Sequence, residues 1–486
     1  MVPTRLASLV SVLVVLAACG NGGSGQSEGR DGGTPEAGSG GAVPDAGAGA
    51  ARGWNTPLPI GAPRNVAQFE ILGADVALND AGTALVAWGE DAETTGSAWI
   101  AWHRARAWEP ALKVSEGFGH AQSPRVALNA SGAAAVAFEV VEHDGPGISS
   151  RTVWARRWAG GGWTAAERIS AAPAAPNQLY ASRPRVGMDG AGRVFVAYDQ
   201  QDTKSPAPPA IYVSRFDGAQ WSAPARVNAG TLNASGSDLA VSADGTAVVV
   251  WVEATNPYDP NRSGGGPSNP NIWARRFDGS AWSAPQRIGA DLVDYEGCER
   301  ARVVMDGAGR AFAIWEERKL EVHHIAAARF SPGSGWSARD VLDSAAATTE
   351  HLSFPAIATD GLGGAFGVWQ RNPIGGGGLT GGAASRYGPG GWSAALPFES
   401  PTAVQAAVAA MDGAGNGWAV FTAGALQARK SDPSAHWQAT QSIGSMVVTA
   451  VAANSAGMMV AVGHGGYFQS NPPAFLDATR AVVYVP

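Results

Sequence analysis

Cysteine is nearly missing from this chain: only Cys19 and Cys298 occur in 486 residues. A disulfide-stapled scaffold is therefore excluded, and so is any paired-cysteine metal knuckle. The eight histidines include no His-x-x-x-His spacing, and His323 and His324 alternate across a strand, so they do not readily share one ion. Charged residues make up only 15%, with a formal net charge of −7, which argues against nucleic acid as a partner. No long amphipathic helical pattern is present, and apart from the N-terminus no apolar run approaches membrane-spanning length. What is abundant is glycine, 65 residues, and tryptophan, 18, a composition suited to a turn-rich β protein with aromatic and small residues in its cores.

A motif recurs eight times: an apolar strand, a tight Asp/Asn-x-x-Gly turn, and a second strand ending in an aromatic residue. The turn glycines are Gly82, Gly132, Gly192, Gly245, Gly309, Gly363, Gly415 and Gly457. Three positions before them stand Asn79, Asn129, Asp189, Ser242, Asp306, Asp360, Asp412 and Asn454. Short polar side chains that bond the local backbone, followed by a Gly that accepts φ > 0, specify hairpins. The intervals of 50, 60, 53, 64, 54, 52 and 42 residues match a four-stranded propeller blade with variable loops.

Each unit has a second half, clearest at Ile272-Trp273-Ala274-Arg275-Arg276-Phe277-Asp278-Gly279-Ser280-Ala281-Trp282: a strand, an Asp-Gly turn, and a last strand opened by Trp. Equivalent tryptophans are Trp108, Trp163, Trp221, Trp336, Trp392 and Trp437, seven in all for eight hairpins. The eighth lies ahead of the first hairpin, in Trp54–Ile60, while the chain ends after the third strand of its last unit. The expectation is an all-β fold: a single eight-bladed β-propeller of four-stranded antiparallel blades over residues 54–486. The N-terminal strand Trp54–Ile60 would join the C-terminal blade, closing the ring and removing the exposed sheet edge.

These repeats resemble those of bacterial secreted and lipoprotein β-propellers, and the strand-Asp-Gly-x-x-Trp turn is distantly similar to the Asp-box of sialidase-like propellers. In Ser214-Arg215-Phe216-Asp217-Gly218-Ala219-Gln220-Trp221 the Asp falls one position later than in that box. The resemblance bears on fold; activity must be argued from a site.

The N-terminus supplies an address. Arg5 precedes an apolar run from Leu6 to Ala18, and Leu16-Ala17-Ala18-Cys19 resembles the bacterial lipobox. That resemblance implies a signal peptide over 1–18, lipid on Cys19, and an outer-membrane anchor, since Gly20 stands where a retention signal would carry Asp. Residues 19–53, rich in Gly, Ser, Ala and Pro, read as a disordered tether with a mean reach of about 30 Å. With Cys19 acylated, Cys298 is left as a buried, inert thiol.

Function is sought where the repetition fails. Arg157, Arg215, Arg276, Arg329 and Arg386 recur before an aromatic on the third strands and are assigned to structure, as are the Trp residues opening the fourth strands. The turn face is uniform, so the face carrying the variable loops is the candidate binding face. Its polar candidates include Tyr180, Tyr258, Glu142, His143, Asp144, His120, Gln122, Gln178, Glu299 and His351, together with Asp291, Asp294, Tyr295 and Glu296. The acidic stretch from Asp291 to Glu299 could hold Ca²⁺ through oxygen ligands but lacks the regular spacing of a calcium loop.

One pattern is sharper. Seven positions before each turn Gly stand Asp75, Arg125, Arg185, Asp238, Arg302, Ala356, Val408 and Ala450, so that charge is confined to the first five units. Two residues later every unit has a small residue: Ala77, Ala127, Gly187, Ala240, Val304, Ala358, Ala410 and Ala452. Acids end the second strands, with Glu139, Asp199 and Glu316 in the units carrying Arg, and Glu90 and Glu253 in those carrying Asp. Two readings follow. Each Arg pairs with the acid of its own blade, or Arg125, Arg185 and Arg302 converge on an anionic ligand through bidentate guanidinium geometry. By resemblance to sialidases, catalysis would add a Tyr nucleophile, for which Tyr180, Tyr198 or Tyr258 with Glu139 or Glu253 are the candidates.

The expected protein is thus a lipid-anchored, monomeric propeller of the cell envelope that binds a glycan or a protein partner without catalysis, touches the membrane only through its anchor, and needs no cofactor. A sialidase-like hydrolase or a polysaccharide lyase is one alternative. A structural envelope component is another.

Overall fold

The computed structural model describes residues 53–486 apart from 63, 66–69, 93–94, 146–147, 174–178, 203–207, 230–231, 255–269, 291–296, 320–321, 347, 375–379, 401–403 and 471–472. The leader, Cys19, the tether to residue 52, Gln178, Tyr258 and the acidic stretch 291–296 lie outside the described residues. The described residues form strands and turns, with no helix among them. Four-stranded antiparallel meanders repeat along the chain. In the first, Glu70–Leu78 pairs with Ala84–Ala92, which pairs with Thr95–Arg104, which in turn takes the short segments Ala107–Trp108 and Leu112–Lys113. Later meanders open with the first strands Ala121–Leu128, Leu179–Met188, Ala234–Val241, Gly297–Met305, Glu350–Thr359, Ala406–Met411 and Val447–Ala453. Hydrogen bonding groups the strands into seven sheets, because the second and third meanders are joined at one parallel pair, Arg151 with Tyr180.

The hairpin turns are made as their residues dictate. Gly82 N–H donates to Asn79 O, and Asn79 Oδ1 accepts from Thr83 N–H; the same pair of bonds recurs at Asn129, Asp189, Asp306, Asp360, Asp412 and Asn454, apart from the Gly bond at Asp360. At Ser242 the role passes to Asp244, whose Oδ1 accepts from Thr246 N–H at 2.9 Å. The turn glycines all have φ between 75° and 115°, which a side chain would oppose. Neighbouring turns bond to one another, as in Asn79 Nδ2 to Asn129 O at 3.2 Å, and Asn454 Nδ2 of the last meander returns to Asn79 O at 3.2 Å.

All seven repeated tryptophans pair with the end of a third strand, as Trp282 with Phe277 and Trp392 with Tyr387. The eighth is supplied from the N-terminus: Trp54 pairs with Tyr484 and Leu58 with Ala481, on the outer side of the last strand Pro473–Val485. Trp54 also meets Trp418 edge-on.

The buried cores lie between successive meanders rather than within one. Trp315 and Val303 pack with Val248 and Ile272 of the preceding meander, and Trp88 and Val76 of the first pack with Val460 and Ala481 of the last. Cys298 is fully buried in the former cluster. The large aromatics ending the second strands, Trp88, Trp251, Trp315 and Trp369 among them, are wholly buried and contribute about 2–3 kcal/mol each through burial. The third-strand arginines serve the same junctions. Arg157 lies 3.5 Å over the Phe216 ring of the next meander, Arg276 lies 5.2 Å over Phe330, and Arg329 lies 5.1 Å over Tyr387. Their regular recurrence therefore has a structural cause.

Candidate functional site

Among the described residues, every first strand except Ala406–Met411 carries a β-bulge. Register slips between Leu72 and Ala74, Ser182 and Arg185, Ser235 and Asp238, Glu299 and Arg302, and Ser353 and Ala356. The bulged residue adopts the left-handed region at Gly73, Ser123, Arg183, Gly236, Arg300 and Phe354, with φ between 34° and 67°. Two residues beyond each bulged residue stands the position singled out in the sequence, charged in the first five meanders and Ala356 in the sixth. Beyond that, the small residues let adjacent strands approach: a methyl at Gly187 would overlap Val241 Cγ2.

Charges in this row are shared between meanders. Asp75 Oδ2 accepts Val126 N–H at 3.0 Å, and Asp238 accepts Val303 N–H at 2.9 Å and Arg185 Nε at 3.1 Å. Arg125 and Arg302 differ: each donates to the carbonyl of its preceding residue, Pro124 and Ala301, at 2.9 Å, and neither has a carboxylate within ion-pair distance among the described residues. Burial is the main cause lowering the pKa of both. Arg125 is depressed further by repulsion from Arg185 and, more weakly, Arg302, against the attraction of Asp75 and Glu139. Asp238 partly offsets the effect at Arg302, where Arg185 again repels.

The acids ending the second strands do not pair with these arginines, which corrects the in-blade ion-pair reading. Glu139 accepts Arg183 N–H at 2.8 Å and Gln122 Nε2 at 2.9 Å, with Arg151 Nη1 at 3.4 Å. Asp199 accepts Gly236 N–H at 2.8 Å and Ser237 Oγ at 3.2 Å. Glu316 accepts Phe354 N–H and Arg300 Nη1, both at 2.6 Å. In each case an acid of one meander holds the bulge of the next, because the bulge leaves N–H groups without ladder partners. Burial pushes the carboxyls of Asp199 and Glu316 up from their ordinary values despite these bonds.

The tyrosine candidates separate. Tyr180 is half exposed, with the Arg151 guanidinium 4.7 Å over its ring. Tyr198 is fully buried, its hydroxyl within 3.0 Å of Ile169 O and 3.1 Å of Ser214 Oγ, and burial raises its pKa well above the ordinary phenol, unlike an activated nucleophile. Glu253 is occupied by Trp251 Nε1 at 2.7 Å. Among the described residues no group of three or more His, Cys, Asp or Glu is placed to hold a metal ion. On the turn face a cleft of about 510 Å³ is lined by Arg310, Arg329 and Arg386, but these cations are engaged by Asp306, the Tyr387 ring and the carbonyls of Gly415 and Ser431.

Arg151, Arg183, Arg300 and Phe354 went unrecognised in the sequence reading, although a signal was there. Pro124, Pro184 and Pro355 stand inside first strands, where proline is tolerated at a bulge.

No protein-family model and no curated protein matches the chain. Among solved structures, it resembles a protein of unknown function from Dyadobacter fermentans at 13% identity, over 68% of this chain and 97% of that one, with a TM-score of 0.43. A Hadza microbial sialidase aligns at 14% identity over 68% and 73%, with a TM-score of 0.35. A polysaccharide lyase acting on ulvan aligns at 9% identity over 81% and 96%, with a TM-score of 0.44. Similarity this low transfers neither activity nor ligand.

Proposed function

We propose that the eight meanders are blades of a single closed propeller, held at the outer membrane by lipid on Cys19, and that it binds a glycan or an envelope protein through an anionic group at the mouth of its central bore, without catalysis. The bonds from Ala74 N–H to Thr449 Oγ1 and from Asn454 Nδ2 to Asn79 O support closure, as does the core shared by the first and last meanders. The observation that carries the binding reading is the pair Arg125 and Arg302, half-buried cations with carbonyls but no carboxylate as partners among the described residues. A guanidinium drawn from water without a counter-ion is costly, and a ligand carboxylate, sulfate or phosphate relieves that cost. At the equivalent position the sixth to eighth meanders carry Ala356, Val408 and Ala450, which would leave that side of the bore apolar and orient the ligand.

Hydrolysis would require a carboxylate free to exchange a proton. Asp75, Glu139, Asp199, Asp238 and Glu316 each hold a backbone N–H, which favours a binder. The test is a glycan-array screen of the protein with acidic sugars included, alongside Arg125→Ala, Arg185→Ala and Arg302→Ala. Binding lost in these variants supports the site. Binding retained by all three variants excludes the bore, and absence of any glycan binding redirects the search to envelope proteins.

A further inference from the structure

Six first strands place their bulged residue in the left-handed region, and the residue types there are unequal. Gly73 and Gly236 adopt it freely. Arg183 at φ 57°, Arg300 at 52° and Phe354 at 53° do not, since a Cβ in this region crowds the backbone, and for a bulky ring the conformation is rare. Proline follows Arg183 and Phe354, which restricts them further. The neighbouring acids hold these bulges in place through the N–H groups of Arg183 and Phe354.

Little core burial accompanies this strain, although each arginine meets an acid of its own meander, Arg183 Nη1 at 3.5 Å from Asp199 Oδ2 and Arg300 Nη1 at 2.6 Å from Glu316 Oε2. Phe354 is 51% exposed and belongs to no buried cluster, and the Arg183 side chain is 65% exposed. Glycine would satisfy the backbone at both positions, as it does at two others. Strained residues retained with their side chains projecting outward mark a surface that is used. Arg300 lies 4.4 Å over one face of the Phe354 ring, leaving an aromatic surface beside a cation.

We infer that Arg183, Arg300 and Phe354 form a recognition rim at the bore mouth for an acidic polysaccharide, with a sugar ring stacked on Phe354 and its carboxylate or sulfate groups meeting Arg183 and Arg300. This rests on the binding reading above and narrows its ligand. A planar guanidinium suits carboxylate or sulfate, while an exposed aromatic beside it suits the C–H face of a pyranose. Cations on the third and fifth meanders, separated by Gly236, suit a chain with repeated charge more than a single acid group.

The test measures affinity and thermal midpoint together, using the purified protein with polygalacturonate, alginate and chondroitin sulfate, and with fully methyl-esterified polygalacturonate and polyglutamate as controls. Arg183→Gly and Phe354→Gly should weaken binding of an acidic polysaccharide about tenfold or more, while the midpoint stays level or rises by about one or two degrees as the left-handed strain is relieved. A lower midpoint with unchanged affinity would show that the residues are kept for folding and overturn the rim. Unchanged affinity in these variants with loss in Arg125→Ala would also overturn it, leaving the bore reading intact. Equal binding of the methyl ester or of polyglutamate would reject the acidic-polysaccharide class. Binding of none of the three acidic polymers by the parent protein would reject it too, while the array with the bore variants still decides the broader reading.

Discussion

Glu316 and Phe354 stand 38 residues apart, yet the carboxylate of the first accepts the backbone N–H of the second at 2.6 Å, tying the fifth meander to the sixth. The same carboxylate takes the Arg300 guanidinium, so one acid holds a neighbouring bulge and fixes a rim cation. Glu139 with Arg183 N–H repeats the arrangement between the second and third meanders.

Removing such an acid strands a bulge N–H. Glu316→Ala should lower stability by about 1–3 kcal/mol, and Glu316→Gln by less because an acceptor remains. Urea unfolding followed by tryptophan fluorescence measures the difference, and an alanine variant as stable as the parent would contradict the inter-meander role.

Gly187 should tolerate no side chain. A methyl there meets Val241 Cβ at 3.0 Å and overlaps its Cγ2, so Gly187→Ala should destabilise by about 1–3 kcal/mol through overpacking. The paired variant Gly187→Ala/Val241→Ala should recover part of that loss, which a thermal melt of both would show.

The third-strand arginines should behave differently from those at the first-strand bulges. Arg157→Ala removes a cation 3.5 Å over the Phe216 ring and should cost about 1 kcal/mol of stability without changing ligand affinity. Arg125→Ala should do the reverse, weakening ligand binding with little loss of stability. Side-by-side melts and titrations separate the two sets.

Acidification should weaken the fold through the histidines near the junction of the fifth and sixth meanders. The rings of His323 and His351 lie 4.5 Å apart. Burial lowers both pKa values from 6.5, helped at His323 by His351 and at His351 by Arg318 and Arg300, against Glu299. The folded state therefore stays neutral where the unfolded chain takes up protons, so stability is present above 6.5 and declines as pH falls below it. For buried His323 alone the slope is at most about 1.4 kcal/mol per pH unit. Melts between pH 7.5 and 5.5 should show the decline, and His323→Asn/His351→Asn should flatten it.

Much of this architecture was legible before any coordinates. The turn glycines, the Asx residues before them and the fourth-strand tryptophans are local signals, read over a few residues, and each acts where the repeat places it. Even the place of Trp54–Ile60 beside the last strand followed from counting seven tryptophans against eight hairpins. The recurrence of Arg157 and its counterparts rightly pointed to structure, though not to the ring each one covers.

Partner choice among the charges was not legible. Hairpin proximity suggested that Glu139, Asp199 and Glu316 would meet Arg125, Arg185 and Arg302 of their own units, whereas each reaches the next meander's bulge and meets a different arginine of its own unit, Arg151, Arg183 and Arg300 respectively. A bulge shifts the strand by one residue and leaves N–H groups facing sideways, and which carboxylate reaches them depends on the twist between sheets, a long-range quantity. Pro124, Pro184 and Pro355 hinted at the bulges but could not name the acids that hold them.

By itself, then, the sequence determined the repeated strand-turn-strand unit and the outer strand supplied from the N-terminus, because turn chemistry and hydrophobic alternation act over short spans of backbone. Only the tertiary structure decided which charges are neutralised. How neighbouring meanders pack decides which side chains meet across positions far apart in the chain, so that Arg185 reaches Asp238, 53 residues on, at 3.1 Å, while Arg125 and Arg302 keep carbonyls as their partners among the described residues.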